Sequence, residues 1–249
     1  MGELALYRKY RPQAFADVVG QDHIIEVLEK SLKSGAIAHA YLFFGSRGTG
    51  KTSIARIVAR ELGCAPEDIY EIDAASNRGI DDVRELREGV RSLPFRSPYK
   101  AYIIDEVHML SKDAFNAFLK TLEEPPKHVV FMLATTEIEK VPETVVSRCQ
   151  TFTFKKPSRV ILKKVVEEIA RKEGRAIEPG AADLIALLGD GSFRDTQGVL
   201  QLVLSGTTGT VTREGAEKIT AAPSSALVED FIAALAEGKL ESVLGVIRT

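Results

Sequence analysis

Residues 40–62 read AYLFFGSRGTGKTSIARIVAREL. The apolar run AYLFFG (40–45) breaks into a glycine-rich turn, and the turn opens a stretch with apolar residues at helical spacing, so strand, loop and helix follow one another directly. Gly45-Ser46-Arg47-Gly48-Thr49-Gly50-Lys51-Thr52 has the G-x-x-x-x-G-K-[ST] pattern, and at a strand-to-helix junction that pattern is a phosphate cradle. Its glycines let backbone N–H groups curl around phosphate oxygens, and the helix N-terminus that continues through Ser53 adds positive potential. Lys51 is expected to neutralise the terminal phosphates and Thr52 to hold Mg²⁺. A chance glycine-rich turn is the bland alternative, and the strand–helix context argues against it.

Working outward, four more apolar runs alternate with amphipathic stretches: YEIDA (70–74), AYIIDE (101–106), VVFMLATT (129–136) and QTFTF (150–154). Helical patterns fall at Ile24–Lys33, Thr52–Leu62, Ile80–Ser92 and Lys112–Leu122, the last stopped by Pro125 and Pro126. The expected fold class is therefore α/β, a parallel sheet flanked by helices. After Lys156-Pro157-Ser158 the strand signals cease. Arg159–Lys172, Pro179–Leu188, Phe193–Leu204 and Arg213–Ile219 read as helices of a second, small all-helical domain. The domain expectation is 1–157, then 158–222, then the start of a third, helical oligomerisation region over 223–249.

The strand AYIIDE ends in two acids. With a phosphate loop upstream, Asp105 at the strand's C-terminal end is expected to reach the metal and Glu106 to polarise the attacking water. On its own such a pair is commonly just solvated.

Lys and Arg number 33 against 35 Asp and Glu, a net charge of -2, so no overall field draws the chain to nucleic acid or membrane and any DNA contact must be local. No apolar run approaches the roughly 20 residues of a membrane span, and none at the start resembles a signal peptide, so the cytoplasm is the expected compartment and no membrane partner is expected. Cys64 and Cys149 read as free thiols, with no metal site on them.

Longer strings sharpen this reading: YRKYRPQAFADVVGQ (7–21), HAYLFFGSRGTGKTSIAR (39–56), IDEVHMLSKDAFNAFLKTLEEPP (104–126), LATT (133–136) and SRC (147–149), with a weaker GSFRD (191–195). Together they resemble the AAA+ ATPases, and among those the clamp-loader subunits of bacterial DNA polymerase III of the gamma/tau type. The resemblance implies a P-loop AAA+ sheet domain, a helical lid domain and a collar. It implies ATP and Mg²⁺ as ligands and hydrolysis of ATP to ADP and phosphate. The partners it implies are other subunits of a ring-like hetero-oligomer, a sliding clamp, and primed DNA held without regard to sequence.

Residue by residue, the resemblance points to Tyr10, Arg11, Pro12, Val18 and Val19 as contacts of adenine and ribose, where a surface strap over the sheet is the plainer account. Thr136 matches sensor 1, which orients the water or reads the γ-phosphate; a threonine capping a turn is the alternative. Arg148 matches the arginine finger given to a neighbouring subunit's ATP, against a surface arginine paired with some acid. Arg194 matches sensor 2, which touches the γ-phosphate in cis and couples nucleotide to the inter-domain angle. Asn77, Arg78 and Gly79, before the helix at Ile80, and Lys120 match DNA-phosphate contacts, although a solvated basic residue explains Arg78 and Lys120 equally well.

One departure stands out. The family's zinc module of four cysteines is missing: Gly63-Cys64-Ala65-Pro66-Glu67-Asp68 runs straight toward the next strand, and one cysteine does not bind structural zinc. No zinc is expected. The rivals are another AAA+ DNA motor or loader built from the same parts, and a nucleotide-bound scaffold that never hydrolyses ATP; Lys51, Thr52, Asp105 and Glu106 together argue against the scaffold.

Overall fold

The computed structural model describes residues 4–77, 79–236, 238 and 243–245. Its chain divides into two compact units, Tyr10–Pro157 and a second made of Met1–Lys9 with Ser158–Thr249.

Each strand of the first unit owes its place to where its apolar side chains go. Strands β1 (Ala40–Phe44), β2 (Ile69–Asp73), β3 (Lys100–Asp105), β4 (Val129–Thr135) and β5 (Gln150–Thr153) form one sheet in the order β2-β3-β4-β1-β5, every pairing parallel. All seven residues of β4 are buried, and β1 and β3 are nearly so, because both faces of the sheet are covered. The two-residue period of a strand divides these side chains between two cores. Leu42, Tyr102, Ile104, Phe131 and Leu133 meet Val83, Leu86, Phe115 and Phe118 on one face. Tyr41, Phe43, Ile103, Val130 and Met132 meet Ile24, Leu28, Ile54, Ile57 and Val58 on the other.

The covering helices are amphipathic for that reason. With α1 (Leu6–Lys9) first in the chain, α2 (Asp22–Ser34) and α3 (Lys51–Glu61) supply the second face, and α4 (Ile80–Arg91) and α5 (Lys112–Glu123) the first. A one-turn helix, α6 (Glu143–Val146), precedes β5. Phe131 is fully buried and meets Phe118 edge-on with ring centroids 5.2 Å apart, in contact typical of a close-packed interior.

The second unit is helical: α7 (Arg159–Lys172), α8 (Pro179–Leu188), α9 (Phe193–Gly206), α10 (Arg213–Thr220) and α11 (Ser225–Ala236). Leu162, Val166, Ile185, Leu200 and Val203 fill its interior. Ser158, Ser192 and Thr212 cap α7, α9 and α10, each side-chain oxygen accepting a backbone N–H of the first turn. The segment expected with the sheet, Leu6–Lys9, belongs here instead. Leu6 is buried, its N–H donates to Gln201 Oε1 at 3.1 Å, and Lys9 pairs with Glu173 at 2.6 Å. An amphipathic single turn has no helix of its own to rest on, so it goes where its one apolar residue is covered. Among the described residues no helix is long and apolar enough to cross a membrane.

Candidate functional site

In a parallel sheet ligands bind beyond the carboxyl ends of the strands, and the sequence motifs converge there. Gly45 leaves β1 with its N–H on the Thr135 carbonyl at 3.2 Å. A Cβ at Gly45 would lie 2.8 Å from both Cβ and O of Phe154, so only glycine lets the loop start this close to the chain after β5. At the loop's other end Gly50 is the N-cap of α3 with φ 101°, a left-handed conformation that glycine adopts without strain, and no side chain caps that helix. Its first N–H groups are therefore available to an anion. Thr49 braces the turn, its hydroxyl donating to the Ser46 carbonyl at 2.9 Å.

Lys51 is buried, and its ammonium donates to the carbonyls of Gly45 and Ser46 at 2.8 and 2.9 Å. Burial pulls it below the ordinary lysine value, and the charges of Glu106 and Asp105 pull the other way. A buried cation held against its own loop is poised to exchange carbonyl partners for phosphate oxygens.

The acids at the end of β3 face this loop. The Thr52 hydroxyl donates to Asp105 Oδ2 at 2.9 Å, so the two expected metal ligands are in contact. Asp105 Oδ1 accepts the Glu106 N–H at 3.0 Å. A hydroxyl and a carboxylate are hard oxygen donors, and Mg²⁺, which keeps several of its waters, asks for no more protein ligands than these. The donor set fits that ion. Glu106 itself has φ 49° and ψ 45°, a left-handed backbone that costs a residue with a side chain about 1–3 kcal/mol and that collects at functional sites. The Thr136 hydroxyl donates to its Oε2 at 3.2 Å. Lys51, Thr52, Asp105, Glu106 and Thr136 thus form one group across β1, β3 and β4.

Two neighbours escaped the sequence reading. His108, its side chain 5% exposed, puts Nδ1 2.9 Å from Thr135 Oγ1 and 3.5 Å from Glu106 Oε2, with Nε2 3.2 Å from Glu137 Oε1. Gln21 is fully buried; its Nε2 donates to the Lys155 carbonyl at 2.8 Å while its Oε1 accepts the Lys155 N–H at 3.1 Å. Its position at the end of the VVGQ string was a usable signal. It pins the stretch holding half-buried Val18 and the more exposed Val19 to the chain after β5. Tyr10, Arg11 and Pro12 are also half-buried.

Other candidates sit apart from this group. Arg148 donates to Glu123 Oε1 at 2.7 Å and to the Thr144 carbonyl at 2.6 Å. Arg194, the second residue of α9 in the helical unit, lies 4.8 Å from the ring centroid of Tyr7, and its hydrogen bond lowers the Tyr7 phenol from its ordinary value. Lys120 is exposed on α5, and Arg78 lies outside the described residues. The start of α4 is already served: Gly79 N–H donates to Asp82 Oδ2 at 2.9 Å, and Asp81 and Asp82 occupy the first turn, so its dipole faces carboxylates of its own. The Asn77 amide donates to the Asp73 carbonyl at 3.0 Å, within its own turn.

Both cysteines are free, with burial pushing Cys64 up to about 11 and Cys149 up to about 12, so neither offers a ready thiolate. Among the described residues no group of three or more His, Cys, Asp or Glu side chains is arranged to hold a metal ion.

A protein-family model described as "DNA polymerase III, delta subunit" matches residues 20–79 and 67–158. The chain is 42% identical to DNA polymerase III subunit tau of Bacillus subtilis, over 98% of the chain and 47% of that relative. It is 40% identical to subunit tau of Escherichia coli, over 99% of the chain and 42% of the relative. With subunit gamma of Buchnera aphidicola it shares 41% identity over 91% of the chain and 66% of the relative. The chain spans about half the length of the curated tau relatives it matches. Among solved structures, the Thermotoga maritima RuvB Holliday junction branch migration motor superposes with a TM-score of 0.72 at 20% identity, over 91% of this chain and 79% of that one, a likeness of fold.

Proposed function

The chain belongs to the family of DNA polymerase III clamp-loader subunits of the gamma/tau type, and from that premise we propose that it hydrolyses ATP to drive the loading of a ring-shaped sliding clamp onto primed DNA in the cytoplasm. The observation that carries the reading is the contact between the two halves of the site: Thr52 on Asp105 at 2.9 Å, beside a buried Lys51 that feels both acids. An inert nucleotide-held scaffold has no use for a strained Glu106 bonded by Thr136.

The chain's residues divide the work. The turn Gly45, Ser46, Arg47, Gly48, Thr49, Gly50 and the start of α3 through Ser53 receive the phosphates on backbone N–H groups, while Tyr10, Arg11, Pro12, Val18 and Val19 receive the base and ribose. Lys51 exchanges its loop carbonyls for phosphate oxygens. Thr52 and Asp105 would hold magnesium, which would supply neutralisation of phosphate charge. Glu106 takes a proton from the water whose oxygen attacks the γ-phosphorus in line, and the bond from that phosphorus to the bridging oxygen breaks as ADP leaves. Thr136 fixes the carboxylate that accepts the proton.

Two further groups complete the cycle in this proposal. Arg148 serves the ATP of a neighbouring subunit, which makes the isolated chain slow and assembly the trigger. Arg194, in a helical lid over 158–222, reads the γ-phosphate and couples nucleotide to the angle between domains, with residues from 223 on contributing to a collar. ATP favours the clamp-gripping arrangement only through tighter binding to it than to the released one. Arg78 and Lys120 contribute sequence-independent DNA contacts.

The test is a pair of variants in one assay. Glu106→Gln is expected to keep Mg-ATP affinity and lose turnover by about 10²–10⁴-fold, whereas Lys51→Ala loses binding. Undiminished hydrolysis by the Glu106 variant removes it as the base and with it the proposed chemistry.

A further inference from the structure

His108 is a buried polar side chain beside the proposed base that has no part in the reaction described above. It lies two positions beyond Glu106, in the single turn Val107–Met109. Around its ring the contacts close into a circuit. Nε2 faces Glu137 Oε1 at 3.2 Å, the Glu137 N–H donates to Thr135 Oγ1 at 3.0 Å, and Thr135 Oγ1 is 2.9 Å from Nδ1. Glu106 Oε2, the oxygen bonded by Thr136, lies 3.5 Å from the same Nδ1. Glu137 is braced in turn by Lys140, whose ammonium is 2.6 Å from Oε2.

The hydrogens follow from the partners. A hydrogen bond from Lys140 holds the Glu137 carboxyl below its ordinary value, so it stays an acceptor and Nε2 carries the ring hydrogen. With the ring hydrogen on Nε2, Nδ1 has only a lone pair and accepts the Thr135 hydroxyl hydrogen, while the Thr135 oxygen takes the Glu137 N–H. The imidazole is thus fixed at both ends and forms a wall against one side of the Glu106 carboxylate. The left-handed backbone of Glu106 is held by its N–H on Asp105 Oδ1 and its carbonyl on the Met109 N–H, while its carboxylate takes one bond of 3.2 Å from Thr136 and has the ring on another side.

We propose that His108 is a positioning residue for ATP hydrolysis: anchored on Glu137 through Nε2 and on Thr135 through Nδ1, the ring packs against one side of the Glu106 carboxylate, to which it gives no hydrogen bond, and so keeps that carboxylate turned toward Thr136 and the attacking water. This rests on the ATPase reading. It adds a link from the base to the loop after β4, the loop that leads through α6 to Arg148.

The experiment uses single-turnover hydrolysis by the assembled complex, with its ATP sites in excess over Mg-ATP, and the nucleotide affinity of the chain is measured separately from the fluorescence of a labelled ATP. His108→Ala is expected to slow the chemical step by about 10–100-fold with the dissociation constant within about two-fold. His108→Asn, which returns a polar atom to the Nδ1 position, recovers most of the rate. A readout independent of turnover is the pair of ring ¹⁵N shifts of His108 in the nucleotide-free chain, expected to report hydrogen on Nε2 and to move in Glu137→Ala. A His108→Ala chain at full rate overturns the proposal. So does a rate loss matched by an equal loss of affinity, a failure of asparagine to recover the rate, or ring shifts indifferent to Glu137→Ala. If the assembled complex with the unsubstituted chain shows no hydrolysis, the ATPase reading fails first and the proposal falls with it, while the ring shifts still report whether the anchor exists.

Discussion

Asp105, the last residue of β3, with Glu106 next to it, and the arginines Arg148 and Arg194 are proposed to serve one reaction, yet they live in different surroundings. The acids are bonded to other members of the site, Asp105 to Thr52 and Glu106 to Thr136. The arginines are occupied elsewhere, Arg148 with Glu123 and the Thr144 carbonyl, and Arg194 over Tyr7. Groups that act within one folded unit are set in place by folding that unit. A group that acts on another subunit or from another unit rests meanwhile on whatever local partner satisfies its charge. Such a resting contact must be easy to give up, and a half-exposed ion pair, worth about 0–1 kcal/mol, meets that requirement.

The largest expected effect tests the arginine side of this contrast. Arg148→Ala is predicted to lower turnover of the assembled complex by about 10³-fold or more and to leave Mg-ATP affinity of the isolated chain unchanged; loss of affinity in the isolated chain would break the assignment in trans. On the acid side, Thr136→Val removes one hydrogen bond to a charged oxygen and is predicted to slow hydrolysis by about 10–100-fold, read as a fall in kcat with little change in KM.

A third charged group sharpens the contrast because it serves the fold alone. Asp68 is fully buried, its carboxylate accepting the N–H groups of Phe95, Arg96 and Ser97 at 2.5, 2.9 and 3.0 Å. Burial raises its proton affinity, the three N–H groups lower it, and the net direction is down. A depressed folded value means that its stabilisation is present above the unfolded value of about 4 and is lost as pH falls through the folded one. Asp68→Asn is therefore predicted to lower the melting midpoint at neutral pH by about 2–6 °C without changing ATP affinity, and the gap to the unsubstituted chain closes below about pH 4. A gap constant with pH would show that the charge is not what matters. The smallest expected effect is that of Glu123→Ala, under about five-fold on turnover of the assembled complex; a large loss would make Glu123 a working part of the finger and not its resting place.

Much of this was readable in the chain before folding. The sheet was legible because strands buried on both faces are nearly unbroken apolar runs, as in VVFMLAT, and because the proline pair after Leu122 stops its helix. The two motifs that meet at the Thr52–Asp105 contact were legible because the spacing within each is local. Leu6–Lys9 was misplaced because one turn of helix carries no period, and its partners, Gln201 and Glu173, lie far along the chain. His108 was invisible for a similar reason. One histidine in a loop has no spacing signal, and its contacts emerge only when the end of β4 brings Thr135 and Glu137 beside it. The Arg148–Glu123 pair, 25 residues apart on the surface, belongs to the same class of contacts that folding creates and sequence does not announce.

The most direct measurement is a calorimetric titration of the folded chain with Mg-ATP. The arrangement of Lys51, Thr52 and Asp105 predicts one saturable binding event that disappears in Lys51→Ala. No heat of association on well-folded protein at saturating Mg-ATP would contradict it.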